Sequence, residues 1–282
     1  MAVPAATISS RTNTRVKQLR AAFQENSRLS QGLVAIEGDH LLEEALRSGI
    51  APRTVFLSQR REVPRLPQST EIIYLTDDVF ASSVETRSPR GIAALIDQPT
   101  YRLNAVLDEP SPLLLVAAGL QDPGNLGTLI RSAEAFGAAG VLTTPGTVSP
   151  WNQKALRASV GSIFRIPVVP VTKEDLSEIQ TRGVRLLAAV GADGNGVIPA
   201  QEIDLTRSSA IIIGNEGSGL APEWLAMAIA RITIPCPGPV ESLNAAVAGS
   251  LLLYEASRQR GVTAASDRIP GPLRRRPTGA TR

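Results

Sequence analysis

Three loops of this 282-residue sequence gather the side chains that could bind or transfer a chemical group. In 119–141 (GLQDPGNLGTLIRSAEAFGAAGV), Asn125 stands at the start of a helical stretch and Arg131 follows between one and two turns later. The guanidinium of Arg131 is a rigid fork of N–H donors suited to a phosphate or a developing oxyanion. A capping asparagine and a surface arginine would satisfy the same spacing. In 211–224 (IIIGNEGSGLAPEW), a β-branched strand runs into three glycines within six residues, with Glu216 among them. That composition is expected where backbone must approach a ligand closely. A carboxylate inside such a loop repels phosphate but can pair with a cation, an arginine or a ribose hydroxyl. In 232–260 (ITIPCPGPVESLNAAVAGSLLLYEASRQR), a strand passes through a Pro/Gly loop into a helix whose first turn is expected to display Glu241, Ser242 and Asn244. A helix start offers unpaired N–H groups and partial positive charge, although ordinary capping of a core helix through Leu243, Val247, Leu251 and Tyr254 fits as well.

Other chemistries fall to counting. Gly214 to Gly219 has the spacing of a nucleotide phosphate loop, but Leu220 and Ala221 stand where that loop needs Lys and Ser or Thr. GNEGSG does not match the dinucleotide fingerprint, and GADGNG (191–196) lacks a following helix. The single histidine, His40, and the single cysteine, Cys236, cannot furnish a usual zinc set, and nothing in the sequence supports a Cys–His pair, so both are read as structural. No metal is expected.

The elements that must position these loops alternate between strands and helices. An amphipathic helix over 13–23 is followed by LVAIEG, a helical DHLLEEALRSG, TVFLS, EIIYL, a helical DDVFASSV and GIAALI, a small α/β unit over 8–98. The proline-containing stretch 99–112 reads as a linker. From 113 to 261 short apolar strands alternate with helices near 125–138, 151–160, 173–182 and 221–229 and a long terminal helix. Such strands form a parallel sheet covered on both faces, the α/β class. Residues 262–282, rich in Pro, Gly, Ala and Arg, read as a disordered basic tail.

The net charge is only +3, but it is unevenly placed. Basic residues crowd 1–36 and the tail, and Arg15, Lys17 and Arg20 together with Arg87 and Arg90 are candidate contacts to the phosphates of a polyanion. The first residues lack an apolar core of signal-peptide length, and the longest apolar runs are too short to span a bilayer, so a cytoplasmic protein is expected.

In this order, DPGNLGTLIRSAEAFG, GNEGSGL and PCPGPVESLNAAVAGSLLLYE resemble the three motifs of the SpoU (TrmH-like) branch of the SPOUT RNA methyltransferases. SSRTNTRVKQLR, IEGDHLLEEAL and SPRGIAALI look like that family's ribosomal-protein-like RNA-binding domain, so nearly the whole chain is covered. The resemblance implies a parallel-sheet domain with a deep trefoil knot, an exception to the rule against threaded chains. It implies S-adenosylmethionine bound by backbone groups around Gly214, Ile234 and Leu243, and a homodimer that completes the site. By motif position it implies functional roles for Asn125, Arg131, Glu216, Ser242 and Asn244, with Arg131 near the RNA phosphate and the target 2′-hydroxyl. The expected activity is 2′-O-methylation of a ribose in structured RNA, with 23S ribosomal RNA ahead of transfer RNA. The alternative is a non-catalytic protein for RNA binding or ribosome assembly. Pro239 and the tail depart from the usual pattern.

Overall fold

A computed structural model of the chain describes residues 7–25, 30–192, 196–240 and 242–261. The Arg-rich tail and Glu241, both singled out in the sequence, lie outside the described residues.

The first half builds a five-stranded sheet in the order β1-β4-β3-β5-β2, from β1 (Thr7–Ile8), β2 (Leu33–Glu37), β3 (Thr54–Ser58), β4 (Glu71–Leu75) and β5 (Ile92–Asp97). Strands β1, β4 and β3 are parallel, while β5 runs antiparallel to both β3 and β2. Alternate residues of each inner strand face opposite ways, yet both faces are apolar. Ala35, Phe56, Ala93 and Leu95 pack beneath α1 (Thr14–Phe23) and, further along the chain, α3 (Asp77–Ala81). Val34, Ile36, Val55, Leu57, Ile92 and Ile96 pack with Leu41, Leu42 and Ala45 of α2 (Asp39–Arg47). That second cluster continues without a break into the rest of the chain.

The second half is a seven-stranded, wholly parallel sheet in the order β10-β12-β9-β11-β6-β7-β8. Its strands are β6 (Leu113–Ala117), β7 (Gly140–Thr143), β8 (Val168–Pro170), β9 (Arg185–Ala189), β10 (Val197–Pro199), β11 (Ser209–Ile213) and β12 (Ala230–Thr233). Central β6 and β11 are buried at every position, as strands covered on both faces must be. On one face Leu113, Leu115, Ile211 and Ile213 meet α5 (Pro123–Ala135), α6 (Gln153–Ser159) and α9 (Ala245–Gln259). On the other, Leu114, Val116, Ala210 and Ile212 meet α4 (Leu103–Leu107), α7 (Lys173–Thr181) and α8 (Pro222–Met227). This is the expected α/β parallel-sheet architecture.

Several local expectations change. Helix α5 starts at Pro123 because Asp122, not Asn125, caps it. Helix α9 starts at Ala245 with Asn244 as its cap, so Ser242 precedes the helix instead of lying in its first turn. Its core face is Ala245, Ala246, Gly249, Leu252, Leu253 and Ala256, whereas Val247, Leu251 and Tyr254 are exposed, not core residues. The stretch read as a linker contains α4, whose Val106 is fully buried. Strands β1 and β10, of two and three residues, were not expected at all.

Candidate functional site

The carboxyl ends of β9, β11 and β12 open into one cavity of about 530 Å³. Strand ends are where a parallel sheet presents unpaired backbone donors and acceptors to a ligand. The lining comes from Val190–Ala192 after β9, Gly214–Glu216 with Gly219 and Leu220 after β11, and Ile234, Cys236 and Pro239 on the way to Ser242 and Leu243. Ile213, Ile232 and Leu252 supply an apolar floor. Volume and lining match a pocket for a drug-sized polar molecule with an apolar body.

The β11 loop keeps its shape through backbone pairing. Asn215 and Gly219 exchange two N–H···O bonds of 2.9 and 3.0 Å, and the Asn215 carboxamide oxygen accepts from Gly217 N at 2.9 Å and Ser218 N at 3.2 Å. Its amide nitrogen donates to Gly119 O at 3.2 Å, tying this loop to the one after β6. A Cβ on Gly214 would stand 2.6 Å from the Gly219 carbonyl carbon and oxygen and 2.7 Å from Leu220 N, so only glycine fits while the loop is closed.

Glu216, Asn125 and Asn244 come together although they are far apart in sequence. The Asn125 amide donates to Glu216 Oε1, and the Asn125 oxygen accepts from Asn244 Nδ2 at 3.2 Å. Asn125 can do this because Asp122 has taken over the helix end, accepting from Gly124 N at 2.6 Å and Asn125 N at 3.0 Å. Lys154, the second residue of α6, holds the other Asp122 oxygen at 2.8 Å. The Lys154 hydrogen bond, with those of the Asn125 and Gly124 amides, lowers the pKa of Asp122 from its ordinary value. Asn244 serves twice, capping α9 with its oxygen through Ala246 N and Val247 N while its amide reaches Asn125.

Of the residues singled out in the sequence, Gly214, Glu216, Ile234, Ser242 and Leu243 line the cavity, and Asn125 and Asn244 join it through Glu216. Arg131 is not among them. Six residues on from Asn125, it lies about 9 Å along the helix and well round from it. It is exposed and makes no hydrogen bond or ion pair among the described residues. The exposed face it shares with Thr128 and Ala135 borders the exposed stripe Val247, Leu251 and Tyr254 of α9. The two helices are joined by Ser132 Oγ to Ser250 Oγ at 2.7 Å and by the edge-on rings of Phe136 and Tyr254. Asn215, Cys236 and the β9 loop were missed as lining residues; the strand-end rule could have found the last.

The basic candidates divide. Arg20 spends its guanidinium on Ser82 O, Ser82 Oγ and Arg11 O, and so pins α1 to the end of α3. Arg15 pairs with Glu71 and Gln18. Lys17, Arg87 and Arg90 are exposed and unpaired among the described residues. Among those residues no cluster of three or more His, Cys, Asp or Glu could hold a metal, and no helix is long and apolar enough to cross a membrane.

Comparison with known proteins adds the following. Residues 112–254 match the SpoU rRNA Methylase family and residues 13–94 the MRM3-like substrate binding domain. A Bacillus subtilis relative, 23S rRNA (guanosine(2553)-2′-O)-methyltransferase RlmP, is 35% identical over 88% of this chain and 97% of its own. A 23S rRNA (uridine(2479)-2′-O)-methyltransferase of Streptomyces viridochromogenes is 29% identical over 91% of this chain and 94% of its own. The crystal structure of the SpoU methyltransferase AviRb from that organism, in complex with AdoMet, superposes with a TM-score of 0.78 at 28% identity, covering 88% of this chain and 98% of that one.

Proposed function

The chain belongs to the SpoU rRNA methylase family, and from that premise we propose that it transfers the methyl group of S-adenosylmethionine to a ribose 2′-hydroxyl of 23S ribosomal RNA. The observation that carries this reading is the cavity at the ends of β9, β11 and β12, joined through Glu216 to Asn125 and Asn244. Its size and apolar floor suit a nucleoside, and the Gly214 cradle brings backbone against whatever enters. Backbone groups around Gly214, Ile234 and Leu243 would hold S-adenosylmethionine, which supplies a methyl group on a positively charged sulfur. The deep trefoil knot implied by the resemblance is part of the same reading.

The remaining chemistry falls to the protein. A ribose hydroxyl must lose its proton as its oxygen takes the methyl in line, and the charge that develops must be met by fixed donors. Arg131 is the group for that task. A guanidinium is a poor base, so Arg131 orients the RNA phosphate and meets the developing charge on the oxygen, while the hydroxyl proton passes to solvent water. Glu216, Asn125, Asn244 and Ser242 hold the loops and the ribose in register. Lys17, Arg87 and Arg90, unpaired among the described residues, are cations through which the N-terminal unit would grip RNA phosphates, while Arg15 and Arg20 are engaged with Glu71 and Ser82.

Arg131 stands away from its own chain's cavity, on a surface next to an exposed apolar stripe. That placement supports a homodimer in which the stripe is covered and Arg131 faces the partner's cavity. The enzyme would act in the cytoplasm, where ribosomal RNA is made and modified. Both relatives described above act on 23S ribosomal RNA, so transfer RNA is not favoured, and a non-catalytic role leaves the closed Glu216–Asn125–Asn244 arrangement without purpose.

The test is incubation with methyl-labelled S-adenosylmethionine and total RNA from cells lacking this methylase. Alkali-resistant label is expected in large-subunit ribosomal RNA. Arg131→Ala should lower transfer by about 100-fold or more while the donor still binds. Label confined to transfer RNA, or full turnover by the variant, would refute the substrate or the role of Arg131 respectively.

A further inference from the structure

Resting on that reading, we propose that Arg165 is a positioning residue that locks the RNA-reading unit onto the helix carrying Arg131. Arg165 follows the short helical turn Ser162–Phe164, at the end of the sheet opposite the cavity. Its guanidinium is shared between two carboxylates from different units. Nη1 donates to Glu44 Oε2 at 2.6 Å, on α2 of the N-terminal unit. Nε and Nη2 grip Glu134 of α5, at 2.5 and 3.0 Å. Glu134 lies one helical turn beyond Arg131 on the same helix.

Independent features at the same seam show that the contact is built, not incidental. Gly161 has a φ of +84°, and a Cβ there would lie 2.6 Å from Glu44 Cβ and 2.9 Å from its carboxylate, so the turn before Arg165 is shaped to receive Glu44. Only 11% of the Glu44 side chain is exposed. Burial alone would push its carboxyl pKa up, but the hydrogen bond and charge of Arg165, with the charge of Arg47, bring it below the ordinary value. Gln153, at the start of α6, donates to Ala35 O of β2 at 2.9 Å in a buried bond. Leu41, Leu42 and Ala45 share one core cluster with Leu156, Ile163 and Ile166. The N-terminal unit is therefore docked in one orientation, and Arg165 is the charged link from it to α5.

The planar fork grips Glu134 through Nε and Nη2 and still presents Nη1 to Glu44; a lysine ammonium has donors for two carboxylates but not this fixed bidentate geometry. A docked unit presents RNA to Arg131 without first finding its orientation, which lowers the entropic cost of binding substrate. The consequence is a split between RNA affinity and donor affinity.

The test uses the full chain with Glu44→Gln, Arg165→Met, Arg165→Lys and the Glu44→Gln/Arg165→Met pair. We expect RNA KM to rise by about tenfold in each, the loss typical of a charge-assisted bond. The Kd for S-adenosylmethionine should stay within about twofold, the pair should be no worse than either single change, and Arg165→Lys should not restore RNA KM. Hydrogen exchange should quicken over 39–47, over 160–166 and, in the Arg165 variants, at the end of α5 around Glu134, and not around the cavity. Unchanged RNA KM with unchanged exchange, or a parallel loss of donor binding, would overturn the proposal. If the wild-type protein methylates no RNA at all, the exchange measurement still decides whether the lock exists, separately from the function assigned above.

Discussion

Asn125 is the third residue of its helix, a position from which a polar side chain commonly turns back to satisfy the helix end. Here Asp122 does that, steadied by Lys154, and the Asn125 carboxamide is released to bridge Glu216 and Asn244. If that division of labour matters, the site should depend on Asp122 without touching it. Asp122→Ala should cost about 1 kcal/mol of stability and lower the rate of methyl transfer, whereas Asp122→Ser, which can still cap, should recover most of both. Thermal unfolding and turnover measured on the pair check this; equal loss in both variants would mean that the charge facing Lys154, not the cap, is what matters. At this scale the sequence was informative about chemistry and silent about partners. Asn125, Glu216 and Asn244 were visible because amides and a carboxylate at strand ends and helix starts are costly to place without use. Asn215 was not, because its work is to close a turn on itself, which any loop asparagine can do. Nor could the sequence show that Glu216 meets Asn125 and leaves Arg131 alone, since that depends on packing between elements 91 residues apart.

Under the proposed function, the glycine loop is the element on which donor binding would turn. Its two ends pair through Asn215 and Gly219, and Gly214 lies flat against the closing residue with no room for a methyl group. Gly214→Ala must therefore push Gly219 and Leu220 away or open the loop, and both of those residues line the cavity. The Kd for S-adenosylmethionine should rise by about tenfold or more while circular dichroism stays native, because the strand before the loop is fully buried on its own account. Near-normal donor binding by this variant would show that the loop rearranges freely and that the cradle is not what holds the ligand. Long apolar strands and their crossover helices were legible in the sequence because burial on both faces leaves unbroken runs of Val, Ile and Leu. What escaped was short or set by a cap. Strands β1 and β10 are too brief to show a period, and α5 and α9 begin where Asp122 and Asn244 terminate the preceding loops. The stripe on α9 was misjudged for a different reason. A helical repeat of Val247, Leu251 and Tyr254 looks the same whether it faces a core or a partner, and apart from Leu252 and Leu253 the core-facing residues of this helix are small.

For the whole molecule, the two sheets share a continuous apolar cluster and are bridged by the ion pairs of Arg165 with Glu44 and Glu134, so the N-terminal unit packs directly on the second half of the chain. What one chain does not bring together is its own cavity and its own Arg131. A C2 dimer formed through α5 and α9 would cover Val247, Leu251 and Tyr254 twice and set each Arg131 near the other subunit's cavity, since an isologous interface applies every contact in both directions. Replacing Leu251 with Glu should then give a folded monomer by sedimentation that binds donor but does not transfer methyl, because the residue is 42% exposed in the single chain and a carboxylate there can reach water. Mixing tests the crossed arrangement directly. At donor concentrations far below the Kd of the Gly214→Ala variant, it and Arg131→Ala are each expected to transfer little methyl, but subunits exchanged between them form mixed dimers in which an intact cavity faces an intact Arg131. Random exchange makes half the dimers mixed with one working site in each, so activity should return to about a quarter of the wild-type value. If mixed dimers form and stay inactive, each Arg131 must serve the cavity of its own chain, and α5 would have to turn or shift on RNA binding to bring it there.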